Sequence, residues 1–323
     1  MNFSTDQVLV CKARFFFTHA AALILSVLTL SVLTLSASAC RANTKSRAQE
    51  SVWPKGEIMR IISATPSNTE IITGLGMGDR LIAVDKYSRG ITGVPEGLPE
   101  IDFFYPDTEA VIGLEPDLII SNEINSFGVA NNPFKLLGDM GIKVVQIPTS
   151  ASIEGIYGDI ILIARAMGVK ERGEALVDSM KKEIESIAAL RVKKTTEQKT
   201  VYVEVSAVPS LISFGRETFL NEMIEIAGGK NIFADQTGWF SPSVEEIINR
   251  NPDIIIAIAS PGEDPVSEIK SRASFQSISA LKENQVYAVD ADSVSRPSHN
   301  ILLALRQMAQ AISPAAGTAA GIE

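Results

Sequence analysis

The chain has 323 residues, of which 46% are hydrophobic and 21% are charged. This is the composition of an ordinary globular protein, and the length suits two domains. The formal net charge of −9 means that the surface repels phosphate backbones, so nucleic acid is not an expected partner. Only two cysteines and two histidines are present, which argues against a disulfide framework and against a histidine-rich metal site.

Residues 1–39 have the pattern of an export signal. Lys12 and Arg14 precede a largely apolar run over 15–36, and the small residues ASAC follow it. This segment resembles a bacterial lipobox, in which the cysteine, here Cys40, is lipidated and becomes the mature N-terminus, although an alanine replaces the usual leucine. The alternative is an uncleaved membrane anchor, because a run of this length could span a bilayer. In both cases 40–57 form a polar tether and the remaining chain is exported.

Residues 58–168 alternate between short apolar runs and helical patterns. The runs are typical of buried parallel strands, and the helical patterns lie between them. Strands are predicted at 59–64, 81–85, 117–121 and 143–147, and helices at 67–76, 107–114, 131–140 and 152–167.

Residues 169–195 predict one long helix. Leu176, Met180, Ile184 and Ile187 recur every three or four positions and form one apolar stripe, and neither glycine nor proline interrupts 174–194. Such a helix is about 30 Å long and stiff. We therefore expect a rigid connector that permits only limited movement between the two halves of the chain.

Residues 196–313 repeat the strand and helix alternation, and the tail 314–323 is expected to be disordered. Strands are predicted at 200–205, 253–260 and 285–289, and helices at 217–227, 243–250, 275–281 and 299–313. Alternation of this kind favours an α/β fold with a mainly parallel sheet in each half. The sequence thus predicts two α/β lobes, each with helices flanking its sheet, joined by the long helix.

One segment occurs twice. YPDTEAVIGLEPDLII at 105–120 and SPSVEEIINRNPDIII at 241–256 share seven of sixteen residues at a constant offset of 136, as in Pro106 and Pro242. In each copy a capping residue, Asp107 or Ser243, precedes a helix. Glu109 and Glu245 then fall at the second helical position, where the helix dipole favours a carboxylate.

Four segments together resemble one protein family. They are RIISATPSNTEIITGLGMGDRLIAVDKYS, PDTEAVIGLEPDLII, FGRETFLNEMIEIAGGKNIF and SVEEIINRNPDIII. The chain resembles, over about 58–313, the class III substrate-binding proteins of ABC importers, which carry ferric siderophores, haem or cobalamin. The resemblance implies a monomer with its ligand in the cleft between two lobes. It also implies that Glu109 and Glu245 dock into a dimeric membrane permease. The lipobox segment implies that a lipid on Cys40 holds the protein on the outer face of the cytoplasmic membrane or in the periplasm.

The resemblance also suggests ligand-binding residues. Phe103 and Trp239, each six positions before a repeat glutamate, are expected to flank the ligand, because flat rings suit a corrin, a porphyrin or a catecholate chelate. Tyr87 follows a strand end, where open α/β sheets bind ligands, and could stack, hydrogen-bond or ligate iron. The alternatives are a core position for Phe103 and a surface loop for Tyr87.

Charged residues near the expected cleft bear on the choice of ligand. Arg216 and Arg296 are the main candidates for pairing with carboxylates, with Lys86 and Arg89 beside them. Asp292 and Ser293 are expected on the rim of the second lobe. His299 could be an axial ligand of a metal, although a helix-capping or surface role fits its position better. Nothing in the sequence selects among siderophore, haem and corrinoid.

Two other classes of function remain as alternatives. A zinc- or manganese-binding protein of an importer would need several converging histidines or carboxylates, and a mature chain has one histidine. An exported enzyme would need a catalytic motif, and GxSxG, HExxH and GxxxxGK[ST] are all missing. We therefore expect a binding protein with no catalytic residues, no resident cofactor and no structural metal.

Overall fold

The computed structural model describes residue 58 and residues 60–102, 104–123, 133–189 and 198–313. All of these lie within one compact unit of the chain. The predicted signal, tether and tail, together with Cys40 and Phe103, lie outside the described residues. Within the described part, no helix is both long enough and apolar enough to cross a membrane.

The first lobe is built on a five-stranded parallel sheet in the order β3-β2-β1-β4-β5. Its central strand β1 pairs with β2 and with β4, and all three are fully or largely buried. The strands are β1 (Ile61–Ser63), β2 (Leu81–Asp85), β3 (Glu100–Ile101), β4 (Leu118–Asn122) and β5 (Val144–Ile147). The helices are α1 (Pro66–Gly74), α2 (Thr108–Gly113), α3 (Pro133–Asp139) and α4 (Ile153–Ala166).

The second lobe has a four-stranded parallel sheet in the order β11-β10-β6-β8 and a separate antiparallel pair, β7-β9. Its strands are β6 (Thr200–Glu204), β7 (Ser213–Phe214), β8 (Lys230–Asn231), β9 (Trp239–Phe240), β10 (Ile254–Ala259) and β11 (Val286–Asp290). Its helices are α6 (Phe219–Ile226), α7 (Val244–Arg250), α8 (Pro265–Ser271), α9 (Ser279–Lys282), α10 (Ala291–Ser295) and α11 (Ile301–Ile312). The predicted α/β fold with two mainly parallel sheets is confirmed.

A long helix, α5 (Lys170–Ala189), lies between the lobes in the chain and forms the described part of the predicted connector. Of the predicted stripe, Met180 and Ile187 are buried, and the stripe extends to Val177 and Gly173. A Cβ atom built on Gly173 would lie 2.5 Å from the Cβ of Ala164 on α4. The close approach of α4 and α5 therefore requires glycine, which a search for apolar periodicity does not detect.

The duplicated segment forms the same helix start in both lobes. The Asp107 side chain accepts hydrogen bonds from the backbone N–H of Glu109 and Ala110 at 3.0 and 3.1 Å. The Ser243 hydroxyl accepts from the backbone N–H of Glu246 at 3.1 Å. Both predicted N-caps are present, and Glu109 and Glu245 are exposed in the first turns of α2 and α7.

The aspartate at the end of each copy ties two neighbouring strands together. Asp117 accepts a hydrogen bond from the backbone N–H of Arg60 at 3.0 Å, beside β1. Asp253 accepts one from the backbone N–H of Thr200 at 2.8 Å, at the start of β6. Each aspartate thus ties the strand that it precedes to the adjacent strand, which explains the repeated aspartate by fold alone.

Asp159 on α4 is a buried carboxyl group that couples the stability of the first lobe to pH. Its side chain is 5% exposed, and the Ser150 hydroxyl donates to it at 2.6 Å. Burial raises the pKa of Asp159 to about 6, and repulsion from Glu123 adds to the shift. Since this pKa is higher in the folded chain than in the unfolded chain, its contribution to stability is present at low pH and is lost as pH rises through about 6.

We predict that Asp159→Asn removes this loss. Relative to the unsubstituted protein, the variant should gain up to about 3 kcal/mol of unfolding free energy between pH 4 and pH 8, measured by urea denaturation. Asp178→Asn, at an exposed position of α5, controls for the loss of one negative charge. A stability difference between Asp159→Asn and the unsubstituted protein that stays constant across this pH range would contradict the assignment.

Candidate functional site

A cavity opens at the carboxyl ends of the first lobe's parallel strands. Its volume is about 390 Å³, and the second lobe contributes the segment 295–297 to its wall. The first lobe contributes residues that follow or end four of its elements: Thr65, Pro66, Ser67, Tyr87, Asn122 and Thr149. We call this space the cleft cavity. It lies where ligands bind in open α/β sheets, outside the carboxyl edge of the strands.

A second cavity of about 510 Å³ lies along helix α1 and is called the α1 cavity. Glu70, Thr73 and Gly74 of α1 form its wall on the first lobe, and His299 lies on the second lobe. Tyr87 and Arg296 line this cavity and also the cleft cavity. These two side chains therefore stand between the two spaces, one from each lobe.

The backbone of Tyr87 is held by the residue that ends β2. Asp85 is fully buried, and one of its carboxylate oxygens accepts the N–H of Tyr87 at 2.9 Å. The other accepts from the hydroxyl of Ser88, which also lies 2.9 Å from the hydroxyl of Thr69. Burial raises the pKa of Asp85, and these hydrogen bonds oppose the shift. Tyr87 as a whole is 59% exposed, so a fixed backbone presents an accessible aromatic side chain.

Arg296 forms a bridge between the lobes. Its Nη1 lies 2.9 Å from a carboxylate oxygen of Glu70 on α1, and its Nη2 lies 2.7 Å from Asp292 in its own lobe. The hydroxyl of Ser298 donates to the second oxygen of Glu70. Burial raises the pKa of Glu70, while the hydrogen bonds from Ser298 and Arg296 lower it. We call Glu70, Asp292, Arg296 and Ser298 the interlobe bridge.

His299 makes a packing contact between the lobes. A Cβ atom built on Gly74 would lie 2.5 Å from its Cε1 and 2.9 Å from its Nδ1, so the ring lies against the bare backbone of α1. Burial lowers the pKa of His299. The expectation of a surface or capping role was wrong, because the half-buried ring packs against this helix and lines the α1 cavity. Across the described ranges, no group of three or more His, Cys, Asp or Glu side chains is arranged to hold a metal ion.

Trp239 and Arg216 lie together on the β7-β9 pair. Trp239 is 54% exposed, and its ring packs edge-on against Phe214, with 5.7 Å between ring centroids. Arg216 is exposed and forms a backbone bridge with Thr237, two residues before Trp239. Neither Trp239 nor Arg216 lines the cleft cavity or the α1 cavity. The predicted site residues thus form two groups, with Tyr87, Asp292 and Arg296 in one and these two in the other.

The remaining predicted cations differ in their surroundings. The Lys86 Nζ lies 4.7 Å from the centroid of the Tyr87 ring, so this cation is next to the candidate site. Arg89 forms an ion pair with Glu100 and lines a different cavity. Arg89, a possible cleft cation by sequence, is therefore engaged outside the cleft, although the residues that follow it, 90–92, line the α1 cavity.

Several residues of the site were missed from the sequence. Glu70 is the main one, because it lies inside a helix where a charged residue is ordinarily assigned to the surface. Thr65 and Ser67 follow β1 directly, as Tyr87 follows β2, so the rule that selected Tyr87 would also have found them. Asn122 and Thr149, at the ends of β4 and β5, are detectable in the same way.

The sequence matches known proteins along most of its length. A family model described as periplasmic binding protein matches residues 61–293. An uncharacterized ABC transporter substrate-binding lipoprotein of Bacillus subtilis (strain 168), YvrC, is 33% identical over 83% of this chain and 84% of its own length. A vitamin B12-binding protein of Vibrio campbellii is 28% identical over 79% of this chain and 90% of its own length.

Solved structures have the same fold. A possible iron-binding (periplasmic solute-binding) protein from Staphylococcus epidermidis is 34% identical with a TM-score of 0.71, covering 80% of this chain and all of that one. The vitamin B12-binding protein BtuF of Vibrio cholerae has a TM-score of 0.65 at 24% identity, covering 80% of this chain and 98% of its own. The second of these similarities bears on fold alone.

Proposed function

The chain belongs to the periplasmic binding protein family as the substrate-binding component of an ABC transporter, and on that premise we propose that it captures a corrinoid between its lobes. It is a non-enzymatic carrier. The proposal rests on one observation. The wall between the two cavities combines an exposed aromatic ring, Tyr87, with an arginine, Arg296, whose charge is already balanced by two carboxylates.

This wall suits a large ring with neutral polar edges. Tyr87 offers a flat apolar face, and such contacts favour conjugated ring systems. Because Arg296 is paired with Glu70 and Asp292, it recognises a free carboxylate less strongly than an unpaired arginine would. Polar side chains without charge, including Asn122 and Thr149, line the cleft cavity and match the amide groups around a corrin ring. The Vibrio campbellii relative is a vitamin B12-binding protein by name.

A ferric chelate or haem is the second candidate. Lys86 lies over the Tyr87 ring, and Arg216 is exposed two residues after Phe214, the β7 pairing partner of Trp239, so both cations could meet an anionic ligand. The phenol of Tyr87 is also an acceptable ligand for ferric iron. The Staphylococcus epidermidis structure carries the description of a possible iron-binding protein.

We predict that cyanocobalamin binds and that Tyr87→Ala weakens its binding by roughly 1–3 kcal/mol, the scale of one lost aromatic contact. Trp239→Ala should weaken cyanocobalamin binding by a similar amount if the Trp239 ring closes over the ligand from the second lobe. The measurement is calorimetric titration with cyanocobalamin, haemin and a ferric catecholate chelate. Tyr105→Ala is the matched control, because Tyr105 is 74% exposed and lies outside both cavities.

Binding of haemin or the chelate in preference to cyanocobalamin would overturn the choice of corrinoid. An unchanged affinity in the Tyr87→Ala variant, with the fold intact, would remove Tyr87 from the ligand site altogether.

We also propose that the protein is held outside the cytoplasm by a lipid on Cys40. The ASAC segment follows an apolar run, and the Bacillus subtilis relative is described as a lipoprotein. The prediction is that Cys40→Ser moves the protein from the membrane fraction to the soluble fraction or leaves an unprocessed precursor, as judged by fractionation and immunoblotting. Membrane-bound Cys40→Ser protein of mature size would refute the lipid anchor.

Glu109 and Glu245 are proposed as the two contacts with the transporter's membrane domains. Both are exposed at the same position of a capped helix, one on each lobe. In the second copy the neighbouring Glu246 is engaged by Arg250 at 2.9 Å, so Glu245 is not needed for that ion pair. A duplicated contact suits a partner that has two equivalent subunits, and paired charges set orientation and association rate.

We predict that the double variant Glu109→Arg with Glu245→Arg abolishes uptake and permease binding while ligand affinity stays within about twofold, because rim charges act on association with the partner. The control is Glu171→Arg with Glu185→Arg, which makes the same charge change at exposed positions of α5. Normal uptake by the first double variant would exclude the docking role. Lost ligand binding would instead assign these glutamates to the cleft or the fold.

A further inference from the structure

Glu70 occupies an unusual place for a carboxylate. It lies in the middle of α1, is 3% exposed, and is followed directly by the fully buried Ile71 and Ile72. A carboxylate without partners at such a position is strongly destabilising, since burial removes its hydration. Here both of its oxygens are bound, by Arg296 and Ser298, and both partners come from the other lobe.

The pairing sets the charge of the wall between the two cavities. Arg296 contributes one positive charge, and Glu70 and Asp292 contribute two negative charges, so the group carries a net charge of −1. An anionic ligand entering the α1 cavity, which all three of these side chains line, therefore meets a surplus of negative charge. A neutral ligand incurs no such repulsion and can still use the N–H groups of the guanidinium.

The two carboxylates are not equivalent. The Asp292 side chain is 64% exposed, so water and salt screen its effect. The Glu70 side chain is 3% exposed and screened much less. Contacts from Nη1 and Nη2 to two different carboxylates also fix the plane of the guanidinium. Glu70 is thus the partner that dominates both the charge and the orientation of Arg296.

We propose that Glu70 determines specificity: by balancing and orienting Arg296, it makes the cleft accept neutral ligands and discriminate against anionic ones. The inference rests on the proposed function only in requiring that the ligand binds beside Arg296. It does not depend on the ligand being a corrinoid, because it concerns the ratio of two affinities.

The test is Glu70→Gln in the exported full-length protein, since glutamine keeps the shape and still accepts a hydrogen bond from Arg296. Calorimetric titrations with haemin, which carries two carboxylates, and with cyanocobalamin give the ratio of the two Kd values. We expect this ratio to shift about tenfold in favour of haemin, because the substitution exposes the charge of Arg296. Adding Arg296→Gln to the variant should cancel the shift, and Asp292→Asn should produce a smaller one.

A second variant covers the case in which Glu70→Gln does not fold. Asp292→Asn alone removes the carboxylate that is 64% exposed and leaves no buried charge unpaired, so the ratio should still move in favour of haemin, by a smaller factor. If both affinities change by the same factor in every variant, Glu70 only holds the lobes together and the inference is overturned. If no ligand binds even to the unsubstituted protein, the proposed function and this inference fail together.

Discussion

A carboxylate buried in one lobe and paired from the other is the interaction on which the site depends. Glu70 belongs to α1, and the residues that neutralise it, Arg296 and Ser298, lie 226 and 228 positions later in the chain. Breaking such a pair leaves a buried charge without compensation, which is strongly unfavourable. The relative position of α1 and the segment before α11 is therefore fixed, and with it the wall shared by the two cavities.

Other contacts support the same arrangement. The backbone N–H of Ile153, at the start of α4, donates at 2.8 Å to Glu222 on α6 of the second lobe. His299 packs against Gly74 one turn beyond Glu70 on α1, and only a glycine leaves room for the ring. Together with α5, these contacts favour small adjustments of the lobes on ligand binding over a wide opening. Tyr87 is held separately, through Asp85, so the aromatic wall does not depend on those contacts.

The alternation of apolar runs and helical patterns was sufficient to predict the fold. Each central strand contains a short apolar run, and the duplicated segment identified the two N-caps correctly. The strands β3, β7, β8 and β9 were not predicted, because a two-residue strand is too short to show a periodicity. The predicted helix at 275–281 is a 3₁₀ turn at Ala273–Phe275 followed by α9, and α8 and α10 were not predicted. The site was harder to predict from the sequence. Tyr87 was found because it follows a strand, whereas the role of Glu70 depends on a partner in the other lobe that no local sequence pattern reveals.

The central claim is that the ligand lies against Tyr87 and Arg296 between the lobes. Crystals grown with cyanocobalamin and measured at the cobalt absorption edge test it directly, because the anomalous signal locates the metal without reference to the protein. We expect one cobalt peak in the cleft, with the corrin ring in contact with Tyr87 and its amide groups within hydrogen-bonding distance of Arg296. A cobalt peak outside the cleft, or a corrin ring that leaves both side chains untouched, would contradict it.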